Sequence, residues 1–381
     1  PLHHPRPPLS LNLSVPISLL SNYPTKMKSI IVDCDPGVDD AVALALIRAG
    51  ELTNKCKCEG VTVVHGNSTN PAQLMANTRH LVAELWSAAS EVDRPPIAMG
   101  AHVPYVDASH HDALFVHGVD GLGGVVGVVQ ASKKRARDDG DQAIDGSAAP
   151  VDDLPESALE LMVRLLRNAT ERIDLLALGP LTNVALLLRS CPDLCRARLG
   201  VIYVMGGSIA HPGNARMLGE ANFVNDAHAA QVVMSSWPRV VLAPLNVTHQ
   251  ILLTDEAFWN RLRDECGSVG ALLHRVSRQC MAYMKKDTGL DLIHGHDPAA
   301  AMAFLGTTAF TETVAMSVQV DTESRINKGT VVADLRITRD REVEPEYEGL
   351  VKNVQVLLTV QNDQIVTEMV TLLRHFAPQQ Q

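Results

Sequence analysis

Residues 30–47 read IIVDCDPGVDDAVALALI. An apolar, β-branched run leads into a Pro-Gly turn, and an Ala- and Leu-rich run leads out of it. The first has the composition of a buried strand, the last that of a helix. Around the turn stand Asp33, Asp35, Asp39 and Asp40, four acids within eight residues. Carboxylates that close repel and raise one another's pKa unless they point apart or share a cation. Acids in the first turn of a helix are favoured by its dipole and by capping, by about 0.3–1 kcal/mol. That accounts for Asp39 or Asp40. It does not account for Asp33 and Asp35 at a buried strand end, where an uncompensated carboxylate is costly. An all-oxygen set of this size suits Ca²⁺ or Mg²⁺, so the stretch predicts a cation site.

Outward from this stretch the alternation repeats. Residues 29–35, 58–67, 172–179, 199–207 and 239–249 read as strands, and 38–50, 71–89 and 180–190 read as helices. Such alternation predicts the α/β class: a single domain with an open, mostly parallel central sheet flanked by helices. Asp33 and Asp35, His65 and Asn67, Leu178 and Gly179, Met205 and Gly206, and Asn246 and His249 all fall at carboxyl ends of these strands. Ligands bind at that edge in open α/β sheets, so the active site is expected there.

At 46% apolar and 20% charged, the 381 residues have a globular composition. The net charge of −10 argues against a nucleic-acid binder. Seven cysteines lack the paired spacing of a zinc site and read as reduced thiols. No run reaches the roughly 18 apolar residues a membrane helix needs. Residues 1–27 contain no acid and are rich in Pro, Ser and Leu. They read as a leader or extension outside the fold, an organelle signal being the less favoured reading, with Met27 as a natural start. The domain is placed at 28–378. Within it, residues 131–153 read as a disordered insertion, and the basic run Lys133–Arg137 as a solvated loop.

Three further constellations carry chemistry. HGHDPAAAMAF places His294, His296 and Asp297 before an apolar helix. Asp297 fits a helix cap followed by Pro298, and fits equally a metal ligand beside a proton donor at His296. GNARMLGEANFVND gathers Asn214, Glu220, Asn222, Asn225 and Asp226, groups that suit the recognition of hydroxyls. FVHGVDGLGG holds His117 and Asp120 among glycines, the composition of a mobile loop beside an active site.

Together these motifs resemble the inosine-uridine-preferring nucleoside hydrolase family. Its D-x-D-P-G-x-D-D opening is matched by Asp33-Cys34-Asp35-Pro36-Gly37-Val38-Asp39-Asp40. The similarity continues in order through TVVHGN, HGVDGLG, LGPLTNVA, VMGGS, the Gly-Asn…Glu-x-Asn loop, LNVTHQ and HDPAAA, over residues 28–375. Departures are the leader, the insertion, and Ala221 and Ala227 where the family carries aromatic or proline residues. The resemblance implies Ca²⁺-dependent hydrolysis of ribonucleosides to ribose and free base. Asp35, Asp40, Asp297 and the Leu178 carbonyl match the metal ligands, and Asp35 the general base. Asp39, Asn67, Asn214, Glu220 and Asn222 match ribose-binding residues, with Met205 beneath the sugar. His296 would protonate the departing base, and His117 would contact it. Purine-specific relatives carry Trp at the position of His296, so a broad or pyrimidine-tolerant specificity is implied. A homodimer or homotetramer, a cytoplasmic location, and no nucleic-acid or membrane partner are also implied. Three readings compete: a haloacid-dehalogenase-type phosphatase with Asp33 as nucleophile, a non-catalytic ribose- or nucleoside-binding protein, and a hydrolase of ADP-ribose or another N-glycoside.

Overall fold

Strand β1 (Lys28–Cys34) lies inside an eight-stranded sheet, paired in parallel with β2 (Cys56–Val63) on one side and β4 (Ile173–Ala177) on the other. The computed structural model describes residues 27–106, 112–129, 155–335 and 354–378. The expected extension before Met27, the insertion at 131–153 and its basic run lie outside these residues. Beyond β2 stands β3 (Ile97–Met99); beyond β4 follow β5 (Leu199–Met205) and β6 (Val240–Ala243). Two small antiparallel pairs, β7 (Leu252–Thr254) with β8 (Leu292–His294) and β10 (Val318–Val320) with β11 (Val331–Ala333), stand outside the main sheet. The main sheet ends with β12 (Val354–Val360), parallel to β6, and β9 (Phe310–Met316), the one strand that pairs antiparallel to its neighbour. Its order is β3-β2-β1-β4-β5-β6-β12-β9. This is the single, mostly parallel sheet that the alternation predicts.

Strand alternation separates two apolar layers. In β1, Ile30 and Val32 face the layer that includes the helices Val38–Leu52, Gly267–Thr288 and His296–Leu305, whereas Ile31 faces the helices Thr182–Ser190 and Ala227–Ser236. Both faces are covered, which is why these strands read as continuous Val, Ile and Leu. The strand order reverses between β1 and β4. A crevice opens at such a reversal, at the carboxyl ends of the strands, and Asp35 and Leu178 flank it. One predicted strand is too long. Residues 239–249 make only the four-residue β6, because Pro244 has no N–H for a ladder and instead opens the short helix Leu245–Thr248.

Candidate active site

The floor of the crevice is built from the aspartate turn. Asp35, just past β1, is buried, and its carboxylate fits only because glycines stand on both sides. A Cβ at Gly66 would lie 1.9 Å from Oδ2, and one at Gly179 would lie 2.6 Å from Oδ1. The Asn67 N–H donates to Oδ2 (2.8 Å), and the Asn67 Nδ2 donates to the Asp35 carbonyl (2.9 Å). Asp40, in the first turn of Val38–Leu52, accepts the N–H groups of Gly37 (2.8 Å) and Asp35 (3.3 Å). It caps the helix and locks the turn together. Asp297 does not take the cap position that its sequence pattern suggests. Gly295 does, and Asp297 sits inside the first turn with its carboxyl turned to Asp40.

Carboxylate oxygens of Asp39, Asp40 and Asp297 lie within 4.8 Å of one another, and Asp39 Oδ1 is enclosed with no hydrogen-bond partner. Burial, then the charge of Asp40, pushes Asp35 well above the usual carboxylate range. Burial and Asp39 push Asp40 up to about 7. Asp297 is raised well above its ordinary value by burial and by Asp39, Asp40 and Asp35. Among the described residues that line the crevice there is no Lys or Arg. An enclosed carboxylate oxygen without a donor, inside an all-oxygen cluster with no neutralising side chain, fits a hard divalent cation. The tight trio contains Asp40 and Asp297 from the expected ligands and adds Asp39. Asp35 stands against it, and the Leu178 carbonyl accepts a hydrogen bond from Asn222 Nδ2 (2.8 Å).

Asp33 takes no part. Its Oδ1 accepts the Thr62 hydroxyl (2.6 Å) and Asn183 Nδ2 (2.8 Å). It is outside the crevice lining, and burial pushes it up to about 7 against the pull of these two bonds. Of the four acids of the turn, Asp39 and Asp40 belong to the tight carboxylate cluster, Asp35 lines the crevice beside it, and Asp33 is in neither. Its place outside the crevice lining speaks against Asp33 as the nucleophile of a phosphatase.

Above the floor the crevice encloses about 890 Å³. Of the residues that the family resemblance assigns to the site, all but Asp40 line it. Glu220 is held as a helix cap: its oxygens accept the N–H groups of Asn222, Gly207 and Phe223. Asn214 braces the same loop by accepting the Ala221 N–H (2.9 Å). Asn222 Nδ2 also reaches the Met205 carbonyl (3.2 Å). Asp226, grouped with these residues by sequence, is turned away and accepts from Thr182 Oγ1, Tyr105 N and Ala229 N. His65 is likewise outside the lining, joined to Thr182 Oγ1 (2.9 Å). Asn246 is engaged in both directions with the Ile209 backbone. Asp120 gathers the N–H groups of Leu122, Gly124, Val126 and Gly127, so the Gly-rich run is organised around an inward carboxylate.

His117 accepts the Val38 N–H at Nδ1 (3.2 Å), which leaves its ring proton on Nε2. Burial lowers its pKa, with Asp39 acting in the opposite sense. His296 meets the Thr248 hydroxyl at Nδ1 (2.9 Å). Burial first, then His249, His294 and His117, holds it well below the usual histidine range. Sequence reading notes His249 only as a strand-end residue and misses the Phe115–Tyr283 pair, whose ring centroids are 5.6 Å apart. The Tyr283 side comes from the long helix Gly267–Thr288. Its pocket-facing positions Cys280, Tyr283, Met284, Asp287 and Thr288 carry helical periodicity but no motif.

Residues 30–367 match the family described as inosine-uridine preferring nucleoside hydrolase. The chain belongs to this nucleoside hydrolase family. It is 34% identical over 310 residues to the pyrimidine-specific ribonucleoside hydrolase RihA of Klebsiella pneumoniae, covering 80% of this chain and 88% of that protein. It is 29% identical over 318 residues to a probable uridine nucleosidase 2 of Oryza sativa, covering 83% and 84%. A plant nucleoside hydrolase structure, PpNRh1, superposes with a TM-score of 0.72 at 24% identity, covering 92% of this chain and 99% of that one. At that identity the superposition speaks for the shared nucleoside hydrolase fold. Among the described residues, no helix is long and apolar enough to cross a membrane.

Proposed function

We propose that this chain hydrolyses the N-glycosidic bond of ribonucleosides, pyrimidine nucleosides among them, with Ca²⁺ at the aspartate floor. The observation that carries the reading is the enclosed carboxylate cluster at the sheet's reversal point, beneath a cavity whose walls offer carboxamides and imidazoles. Asp35, Asp40, Asp297 and the Leu178 carbonyl would hold the ion, with Asp39 beside them. When bound, it supplies a positive charge that orients ribose hydroxyls and lowers the pKa of a neighbouring water.

Asp35 is fixed by Asn67 with its carboxylate in the crevice, where it takes a proton from the attacking water. Asp39, Asn67, Asn214 and Asn222 surround the sugar, and Met205 packs beneath it. Their oxygens stabilise the positive charge that grows on the ribosyl ring as the bond to the base lengthens. Glu220 acts mainly by shaping the loop that carries Asn222. His117 directs its Nε2–H into the cavity toward the base.

His296 assists departure of the base. Where the Thr248 hydroxyl is the donor in its contact with Nδ1, the neutral ring carries its proton on Nε2. A neutral imidazole donates a hydrogen bond to the departing base, and the negative charge growing there favours passage of the proton. The names of the Klebsiella and rice relatives, both pyrimidine or uridine enzymes, support the substrate class. The implied cytoplasmic homodimer or homotetramer belongs to the same reading.

The test is His296→Ala assayed on two substrates. Uridine turnover falls by roughly 10²–10⁴-fold, whereas p-nitrophenyl riboside, whose leaving group departs as a stable anion, is largely spared. Equal losses on both would reduce His296 to support for Asp297.

A further inference from the structure

The opposite edge of the sheet carries a second cavity, and its charge is the reverse of the crevice's. It encloses about 630 Å³ near the amino ends of β5 and β6, within the size range of small-molecule sites. Arg189, Arg196 and Arg239 line it, and among the described residues no Asp or Glu does. In a chain of net charge −10, three arginines around one acid-free hollow are a segregated charge. Arg239 is held in place. It donates from Nε to the Gly200 carbonyl (3.3 Å) and from Nη2 to the Leu199 carbonyl (2.8 Å), and its guanidinium lies 5.0 Å from the centre of the Trp237 ring. Trp237 is fixed in turn by its indole N–H on the Gly200 carbonyl (3.0 Å). Arg189, in the last turn of the helix Thr182–Ser190, has no hydrogen-bond or ion-pair partner among the described residues. The Arg196 guanidinium pairs with Asp193 in an exposed contact that water weakens.

We propose that this cavity binds the phosphate group of a small phosphorylated metabolite, a sugar phosphate or a nucleotide. A guanidinium is planar, always charged and forked, so several of them around one hollow match phosphate oxygens in pairs. Arg239 supplies a preorganised cation, because its stacking and its two carbonyl contacts already fix its rotamer and little freedom is lost on binding. Arg189 supplies an uncommitted one. The groups beside them fit the rest of such a molecule. Ser235 and Ser236, also in the lining, donate their hydroxyl protons to the carbonyls of Gln231 and Val232, so their oxygens are left to accept from sugar hydroxyls. The dipole of its own helix accounts for a cation at Arg189. It does not account for the stacked Arg239 or for the absence of acids. The site is separate from the hydrolysis, since the crevice lies at the carboxyl ends of the strands and shares no lining residue with it.

The experiment titrates the full chain with ribose 5-phosphate, uridine 5′-monophosphate and inorganic phosphate by calorimetry at low salt. A saturable 1:1 isotherm is expected. Arg189→Gln weakens it by roughly 10–100-fold, the scale of a lost charge-assisted hydrogen bond, with the melting temperature unchanged. Asp193→Asn, which releases Arg196 from its counter-charge, tightens binding by a few-fold, a gain that a general loss of structure cannot produce. Inorganic phosphate binding as tightly as the two esters would support the proposal with phosphate itself as the ligand. Tighter binding of the esters would support it with the sugar at the serines. Absence of a saturable isotherm with all three would overturn the proposal. So would binding that Arg189→Gln and Asp193→Asn both leave unchanged, which would place the anion elsewhere on the molecule.

Discussion

Two sets of acids sit within this one fold, and they differ in what surrounds their oxygens. Asp120, Asp226 and Glu220 are surrounded by donors: four backbone N–H groups for the first, a hydroxyl and two N–H groups for the second, three N–H groups for the third. The floor acids crowd one another as well: Asp35 and Asp40 still accept backbone N–H groups, but Asp39 Oδ1 has no hydrogen-bond partner and, among the described residues, no Lys or Arg lines the crevice. A carboxylate whose oxygens are filled by the backbone holds a loop in shape. One left facing other carboxylates is held ready for a cation, for water and for substrate. Residue type alone does not separate the two sets; the crowding of carboxylates around one point does.

Asp35→Asn is the largest break of this contrast. Loss of the base lowers kcat by about 10³-fold or more. Stability should move the other way in the metal-free protein. A carboxyl whose folded-state pKa is raised contributes stability only at low pH and loses it as pH rises through that pKa. At pH 8, metal-free Asp35→Asn is therefore expected to melt at or above the wild-type temperature. A large drop in melting temperature would place Asp35 with the scaffold acids.

Asp226→Asn should show the reverse pattern. Replacing an oxygen that accepts the Thr182 hydroxyl and the Tyr105 N–H costs about 1–3 kcal/mol of stability. The kcat of the folded fraction should change by no more than a factor of a few. A selective loss of kcat without loss of stability would mean that this acid reaches the chemistry after all.

The smallest expected effect concerns His249, which burial and its histidine neighbours push down to about 4. A depressed folded-state pKa gives stability that is present above the unfolded value of roughly 6.5 and lost as pH falls through the folded one. His249→Gln should therefore lessen the decline in melting temperature between pH 6.5 and 4 by a few degrees. An identical acid profile would show that these histidines accept protons without strain.

The contrast also explains how far the sequence could be read. The alternation of Val-rich strands and helices foretells the parallel sheet, and the strand ends foretell Asp35, Asn67, Leu178 and Met205 at one crevice. Strand ends alone do not reveal direction. Asp33 and Asp35 are both strand-end acids two residues apart, yet Thr62 and Asn183 capture one while glycines admit the other. Asp226 and Asn222 share a loop, but only tertiary contacts with Tyr105 and Thr182 turn Asp226 away. Tyr283 and Met284 lie on a long amphipathic helix where an apolar stripe reads as core. Their place at the cavity depends on how that helix docks, which no local pattern encodes. His294 was visible as a residue, but its pairing with His249 joins β8 to a turn more than forty positions earlier.

The most direct test of the account is ribose release from uridine by protein stripped with EGTA and then reloaded with Ca²⁺ or Zn²⁺. A floor of crowded carboxylates with no neutralising side chain predicts that the stripped protein loses roughly 100-fold or more of its activity. It also predicts that Ca²⁺ restores activity better than Zn²⁺, because the donor set is all oxygen. Full ribose release by a verified metal-free sample would contradict it.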